Sequence, residues 1–204
     1  QVTGAMVMAA GLGKRMRPLT ASSPKPLVRV AGAPLIDHTL QHLAKVGVRD
    51  VVVNVHYLAD ALEGHVSNAP FGMNYVVSDE REKLLETGGG LVKALPKIAS
   101  DPFYCVNSDN MWVDGPTPAL TQLAEQWDDK RMDALLLLVP HARAHHHGGM
   151  GDFHLDGQGR VTRRMERKVA PYIFTGIQLM AKRLIEGENS EAFNTNRFWN
   201  RAID

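Results

Sequence analysis

Strand-sized apolar runs alternate along this 204-residue chain with segments whose apolar residues recur at helical spacing. That alternation favours an α/β layered sheet, in which helices cover the faces of a central sheet. Residues 6–9 read as a first strand. Leu35, Ile36, Leu40, Leu43, Ala44 and Val46 share one helical face, and Gly47 closes that helix. Residues 50–55 read as a buried strand, 58–66 as a short helix and 73–77 as a third strand. Residues 87–95 begin on three glycines and turn into a helix that Pro96 stops. A strand is expected at 103–107, a helix at 118–127 and a further central strand at 134–139. Past Pro140 the texture changes: 152–155, 160–164 and 172–180 read as β elements of a smaller region covering the sheet. Residues 199–204 look like the middle of a helix, so the fold is expected to continue past them.

The first strand empties into Ala9-Ala10-Gly11-Leu12-Gly13-Lys14-Arg15-Met16-Arg17-Pro18-Leu19-Thr20. Gly11 and Gly13 can adopt angles that turn backbone N–H groups toward one anion. Lys14, Arg15 and Arg17 add positive charge where phosphate oxygens would crowd. Lys25 follows between Pro24 and Pro26, which stiffen the chain around it. The loop is not a Walker loop, because G-x-x-x-x-G-K-[ST] occurs nowhere in the chain. It is not the dinucleotide fingerprint either, because Met16 stands where the third glycine belongs.

This stretch resembles the signature A-A-G-x-G-x-R-[ML]-x-P-L-T of the sugar-1-phosphate nucleotidyltransferases, and Lys25-Pro26-Leu27 matches that family's downstream K-P-L. The resemblance implies a Rossmann-like three-layer mixed sheet of the nucleotide-diphospho-sugar transferase type, with a small β-rich sugar-binding region. It implies one domain over 1–204, with a nucleotide-binding half at 1–140 and a sugar-binding half at 141–204. Ala9, Ala10, Gly11, Gly13 and Lys14 would then hold the nucleotide, with Arg15 and Lys25 as the catalytic cations.

Leu85-Glu86-Thr87-Gly88-Gly89-Gly90 resembles the family's base-contacting segment. The resemblance assigns Glu86, Thr87 and Gly88 to the nucleotide, the glycines leaving room for something flat; a glycine-rich helix start without a ligand is the alternative. Val106-Asn107-Ser108-Asp109-Asn110 sets a carboxylate just past a strand, where ligands of open α/β sheets sit. It resembles the family's N-G-D or N-A-D, so Asp109 is the expected Mg²⁺ ligand and Asn107 a sugar-phosphate contact. The family's second metal ligand, often in W-x-D-x-G-T, has no counterpart before residue 204.

His147-Gly148-Gly149-Met150-Gly151-Asp152-Phe153 resembles a stretch of the branch that activates N-acetylmuramic acid 1-phosphate, with Gly151 against the sugar. A metal site on His145, His146 and His147 is the rival, disfavoured because consecutive side chains diverge. Glu166 and Lys168 resemble the family's E-K-P segment, or form a solvated charge run. Thr175, beside Gly176, fits a strand position meeting the sugar. UTP with N-acetylmuramate 1-phosphate, in peptidoglycan recycling, is the first substrate expectation, and mannose-1-phosphate or glucose-1-phosphate nucleotidyl transfer the second. A non-catalytic nucleotide-sugar-binding subunit and a Rossmann oxidoreductase are the alternatives of other classes.

A formal net charge of +1 gives no reason to expect nucleic acid or an anionic membrane as partner. The longest apolar run, 134–139, is far short of the roughly 20 residues that span a bilayer. The chain enters a strand without a leader-like segment, so cytoplasm is the expected compartment, and a monomer or small homo-oligomer the expected state. The single cysteine, Cys105, lies in an apolar run and reads as a buried small hydrophobe.

Overall fold

The computed structural model of the protein describes residues 1–144 and 148–204. In chain order it contains β1 (Gly4–Met8), β2 (Arg29–Val30), β3 (Ala33–Pro34), α1 (Leu35–Lys45), β4 (Asp50–Val55), α2 (Ala59–Ser67) and β5 (Asn74–Asp79). There follow α3 (Glu86–Ala94), β6 (Phe103–Asn107), α4 (Ala119–Gln126), β7 (Ala134–Pro140), β8 (Phe153–Leu155), β9 (Val161–Arg163), β10 (Tyr172–Met180) and α5 (Asn196–Ile203).

The main sheet runs β5-β4-β1-β6-β10-β8-β9, with β7 on the other side of β10. Strands β5, β4, β1 and β6 are parallel, and β10 is antiparallel to β6. β1 therefore has β4 on one side and β6 on the other, which creates a crevice at its carboxyl end.

Successive residues of a strand face opposite sides, so the valine run of β4 serves two cores. Val51, Val53 and Val55 pack with Ile36, Leu40 and Leu43 of α1, Leu62 of α2 and Leu120 of α4. Val52 faces the other way, with Met6, Leu91 of α3, Cys105 and Phe198 of α5. The result is three layers: α1, α2 and α4; the sheet; and α3 with α5. Cys105 is buried as expected.

Two expectations are corrected. Residues 134–139 do form a strand, but among the described residues β7 pairs only with β10 and is half-buried, an edge strand and not a central one. β8 and β9 form a hairpin that joins the main sheet through β10, extending that sheet instead of covering it. A register shift in β10 between Phe174 and Gln178 lets this one strand meet β7, β6 and β8. Among the described residues no helix is long and apolar enough to cross a membrane.

Candidate active site

A cleft of about 620 Å³ opens at the carboxyl ends of β1, β4 and β6. One wall is the loop after β1, built on buried Ala9 and Ala10. Gly13 turns with φ +61°, and a β-carbon there would sit 3.0 Å from Thr20 Cγ2 and 3.1 Å from Lys25 Cβ. The Thr20 hydroxyl donates to the Gly13 carbonyl (2.8 Å), and Tyr57 donates to the Thr20 carbonyl (2.9 Å), so the turn is braced from behind. Among the described residues, the amides of Gly11, Leu12 and Gly13 donate to no protein group. A short 3₁₀ turn, Lys14–Met16, carries exposed Lys14 and Arg15 along the cleft. Ala9 differs from its neighbours, because its amide donates to Asn54 Oδ1 (2.7 Å) and is engaged inside the protein.

Lys25 and Asp109 meet on the facing side. Pro24 and Pro26 are buried around Lys25, and the 3₁₀ turn Lys25–Leu27 fixes where its side chain starts. Ser108, buried just past β6, donates its amide to the Met8 carbonyl (3.1 Å), which ties the Asp109 loop to β1. The Lys25 ammonium contacts Asp109 Oδ2. Asn107 lines the same cleft. Gly176, with φ +81°, lies behind this loop, and a β-carbon there would come within 2.6 Å of Asn107 Nδ2.

The three-glycine segment is packed inside the protein. Glu86 and Thr87 line the cleft, but Gly88, Gly89 and Gly90 are buried inside α3. A β-carbon on Gly88 would lie 2.4 Å from the Phe193 ring, and one on Gly89 only 1.9 Å from the Glu191 carbonyl oxygen. The Gly88 amide already donates to the Phe193 carbonyl (2.7 Å). Gly88 and Gly89 thus admit the protein's own backbone at residues 191–193. Gly88 itself does not line the cleft, and its amide is engaged within the protein.

Sequence reasoning missed Asn54 and Glu80, both 1% exposed. Asn54 breaks a run of valines in β4, a polar residue at an apolar-patterned position. Glu80 was hidden in the charged run Asp79-Glu80-Arg81-Glu82-Lys83.

The sugar-side candidates are dispersed. Gly151 borders a second hollow of about 300 Å³, with Asp152, Arg163, Phe174 and Trp199. Its φ is +78°, and a β-carbon there would strike the Ala170 carbonyl at 2.1 Å, so packing alone demands glycine. Burial pulls the Arg163 guanidinium down from its ordinary value, while Asp152 pushes it up. Thr175 is half-buried, and its hydroxyl donates to the Leu137 carbonyl (2.8 Å). Glu166 and Lys168 are exposed in the turn after β9 and line neither hollow. His145, His146 and His147 lie outside the described residues, and so does any metal site on them.

The family described as Nucleotidyl transferase matches residues 4–173, from β1 into β10. The chain belongs to the sugar-1-phosphate nucleotidyltransferase family. It is 38% identical over 200 residues to the N-acetylmuramate alpha-1-phosphate uridylyltransferase of Caulobacter vibrioides, covering 97% of this chain and 83% of that one. It is 38% identical over 110 residues to the Drosophila melanogaster mannose-1-phosphate guanylyltransferase catalytic subunit beta, covering 52% of this chain and 30% of that one. In fold it matches the inositol-1-phosphate CTP transferase of T. maritima with a TM-score of 0.79 at 20% identity, over 100% of this chain and 82% of that one. A UDP-glucose pyrophosphorylase in complex with UDP-glucose matches with a TM-score of 0.78 at 14% identity, over 99% and 87% of the two chains. The layered sheet expected of a nucleotide-diphospho-sugar transferase is therefore the sheet observed.

For this nucleotidyltransferase the cleft's donor set suits one kind of metal. Among the described residues no three His, Cys, Asp or Glu side chains form a ready cage. Two carboxylates line the cleft, Asp109 and Glu86, and the Asn107 amide lines it too. Mg²⁺ takes one or two protein carboxylates and fills its shell from phosphate and water. The residues present fit a metal that arrives with a phosphate substrate.

Proposed function

We propose that this nucleotidyltransferase condenses UTP with N-acetylmuramate 1-phosphate, releasing pyrophosphate and forming the uridine-diphosphate sugar. The substrate pair rests on the likeness to the Caulobacter uridylyltransferase, which runs along 97% of the chain, where the guanylyltransferase likeness covers 52%. One observation carries the chemistry: Lys25 and Asp109 meet in the cleft walled by the Gly11–Arg15 loop.

In this reading an oxygen of the sugar 1-phosphate attacks the α-phosphorus of the triphosphate, and the bond from that phosphorus to the β-phosphate oxygen breaks. The nucleophile is already an anion, so no base and no covalent enzyme intermediate are required. What the protein supplies is position and compensating charge. The Gly11 and Gly13 amides and Lys14 hold the phosphate tail. Arg15 balances charge on the departing diphosphate, and Lys25 balances it at the α-phosphate and attacking oxygen. Glu86 and Thr87 meet the base; Asn107 meets the sugar phosphate, with Thr175 and Gly151 on the sugar side. Asp109 would hold Mg²⁺, which when bound supplies Lewis-acid neutralisation of phosphate oxygens.

The test measures pyrophosphate release from UTP, GTP, CTP and dTTP, each paired with N-acetylmuramate, mannose and glucose 1-phosphates. The expected best pair by kcat/KM is UTP with N-acetylmuramate 1-phosphate; a preference for GTP with mannose 1-phosphate would overturn the substrate assignment. Arg15→Ala should cost on the order of 10²–10³ in turnover. Near-normal turnover in that variant would remove the loop from the chemistry.

A further inference from the structure

Behind the cleft, two buried polar side chains link its two nucleotide-facing loops. Asn54 Oδ1 accepts from the Ala9 amide at the start of the phosphate loop (2.7 Å). Asn54 Nδ2 donates to Glu80 Oε2 (2.6 Å), and Glu80 Oε1 accepts from the Leu85 amide (2.9 Å). Leu85 immediately precedes Glu86 and Thr87, which line the cleft. The chain of contacts runs from residue 9 to residue 85 through two side chains that are each 1% exposed.

A buried carboxylate with no cationic partner in these contacts is costly to keep in a core unless donors satisfy it, as Asn54 Nδ2 and the Leu85 amide do here. The surroundings are shaped around the pair. A β-carbon on Gly90 would approach Asn54 Nδ2 and Glu80 Oε2 to 3.0 Å each, so the third glycine of α3 makes room for it. The end of β5 is anchored nearby, with the Glu80 amide donating to the Val55 carbonyl (2.8 Å). Val55 is the neighbour of Asn54, so both members of the pair are held by the same strand end.

From this geometry we infer that Asn54 and Glu80 are positioning residues that set the distance between the phosphate loop and the base-facing loop. The inference rests on the nucleotide occupying this cleft. A nucleoside triphosphate has a bounded span from base to α-phosphate, so loops held at a separation within that range grip both ends together. Neither side chain touches the reacting atoms. Their effect passes through Ala9 and Leu85.

The hydrogen-bond polarity gives a test that bulk destabilisation cannot imitate. In Glu80→Gln, an amide oxygen kept toward Leu85 turns the amide nitrogen toward Asn54 Nδ2, donor against donor. In Asn54→Asp, two carboxylates face one another. The double variant Asn54→Asp/Glu80→Gln restores the bridge in reverse. Its carboxylate at position 54 accepts from the Ala9 amide and from the amide nitrogen at position 80, whose amide oxygen accepts from Leu85. Each single variant should raise KM for the nucleoside triphosphate roughly tenfold to a hundredfold. KM for the sugar 1-phosphate should move little, and the double variant should recover most of the loss. Melting temperatures measured alongside separate folding from positioning. The inference is overturned if the singles lose thermal stability with nucleotide KM unchanged, or if the double variant is no better than the worse single. The assay uses whichever substrate pair the wild-type enzyme turns over. A wild type inactive on every pair would sink the proposed function instead, a result distinct from an active wild type with indifferent variants.

Discussion

The ammonium of Lys25 rests on the carboxylate of Asp109, 84 residues away in sequence. Both side chains are about a third exposed, at 28% and 36%. An ion pair so open to water contributes about 0–1 kcal/mol to stability. Under the proposed function, its value lies in what the two groups do when phosphate enters between them. Lys25→Met is expected to lower turnover by on the order of 10²–10³ while thermal unfolding hardly moves. Steady-state kinetics and a melting curve on one preparation check this. A variant that melts much earlier yet turns over normally would make the pair a structural clamp.

The glycines divide into two kinds with opposite expected behaviour. Gly89→Ala gains about 1 kcal/mol of helix propensity, but the new β-carbon would fall 1.9 Å from the Glu191 carbonyl oxygen. A backbone oxygen cannot rotate aside, so overpacking wins, at a cost of about 1–3 kcal/mol. Gly11 has no positive φ, and a β-carbon there would meet nothing within 4 Å. Gly11→Ala should leave stability within about 0.5 kcal/mol of wild type and raise the nucleotide KM. Denaturant midpoints and KM for both variants check the contrast. A destabilised Gly11→Ala with normal KM would mean that the protein, and not the ligand, needs that glycine.

How much of this could be read from the residues alone depended on range. The strands at 50–55, 103–107 and 172–180 appear with the boundaries that apolar runs and turn residues set locally. The edge position of β7 was not readable, because six apolar residues in a row describe a central strand as well as a half-buried edge strand. The loop after β1 could be read, since glycines and cations adjacent in sequence are adjacent in space. The partners of the α3 glycines, Glu191 and Phe193, lie some hundred residues downstream, and nothing local announces them. Asn54 and Glu80 were hidden for the same reason: their roles exist only once β4 and β5 pair.

Cys105 should be chemically silent until the protein unfolds. Burial pushes its thiol from 9.0 up to about 12, against a hydrogen bond with Gln178 that favours the thiolate. Native protein at pH 8 should take up no iodoacetamide at Cys105, and protein in denaturant should take up one equivalent. The raised value also sets a sign. Unfolded chains ionise this thiol from about pH 9 and native ones only near 12, so stability declines as pH rises through that window. Cys105→Ala should remove that part of the alkaline slope. Rapid native labelling would mean that β6 opens readily.

Asp114 contributes to stability on the acid side. Its Oδ1 accepts from the Ala119 amide at the start of α4 (3.0 Å) and from Trp112 Nε1 (3.0 Å), while Oδ2 meets His42 Nδ1 (2.9 Å). Desolvation pushes this carboxyl up, but the Ala119 amide, the His42 charge and the Trp112 indole outweigh it and hold it below 3.8. A folded value below the unfolded one means the stabilisation is complete above about pH 3.8 and fades as pH falls through the folded value. Pro118 precedes α4 and provides no side-chain cap, so Asp114 does a cap's work from outside the helix. Asp114→Asn should cost about 0.5–2 kcal/mol at pH 7, and its stability should fall less steeply than wild type below pH 4. Urea midpoints measured from pH 7 to pH 2.5 give both numbers. Parallel curves for the two proteins through the acid range would assign the acid loss to other carboxylates and leave Asp114 a neutral hydrogen-bond acceptor.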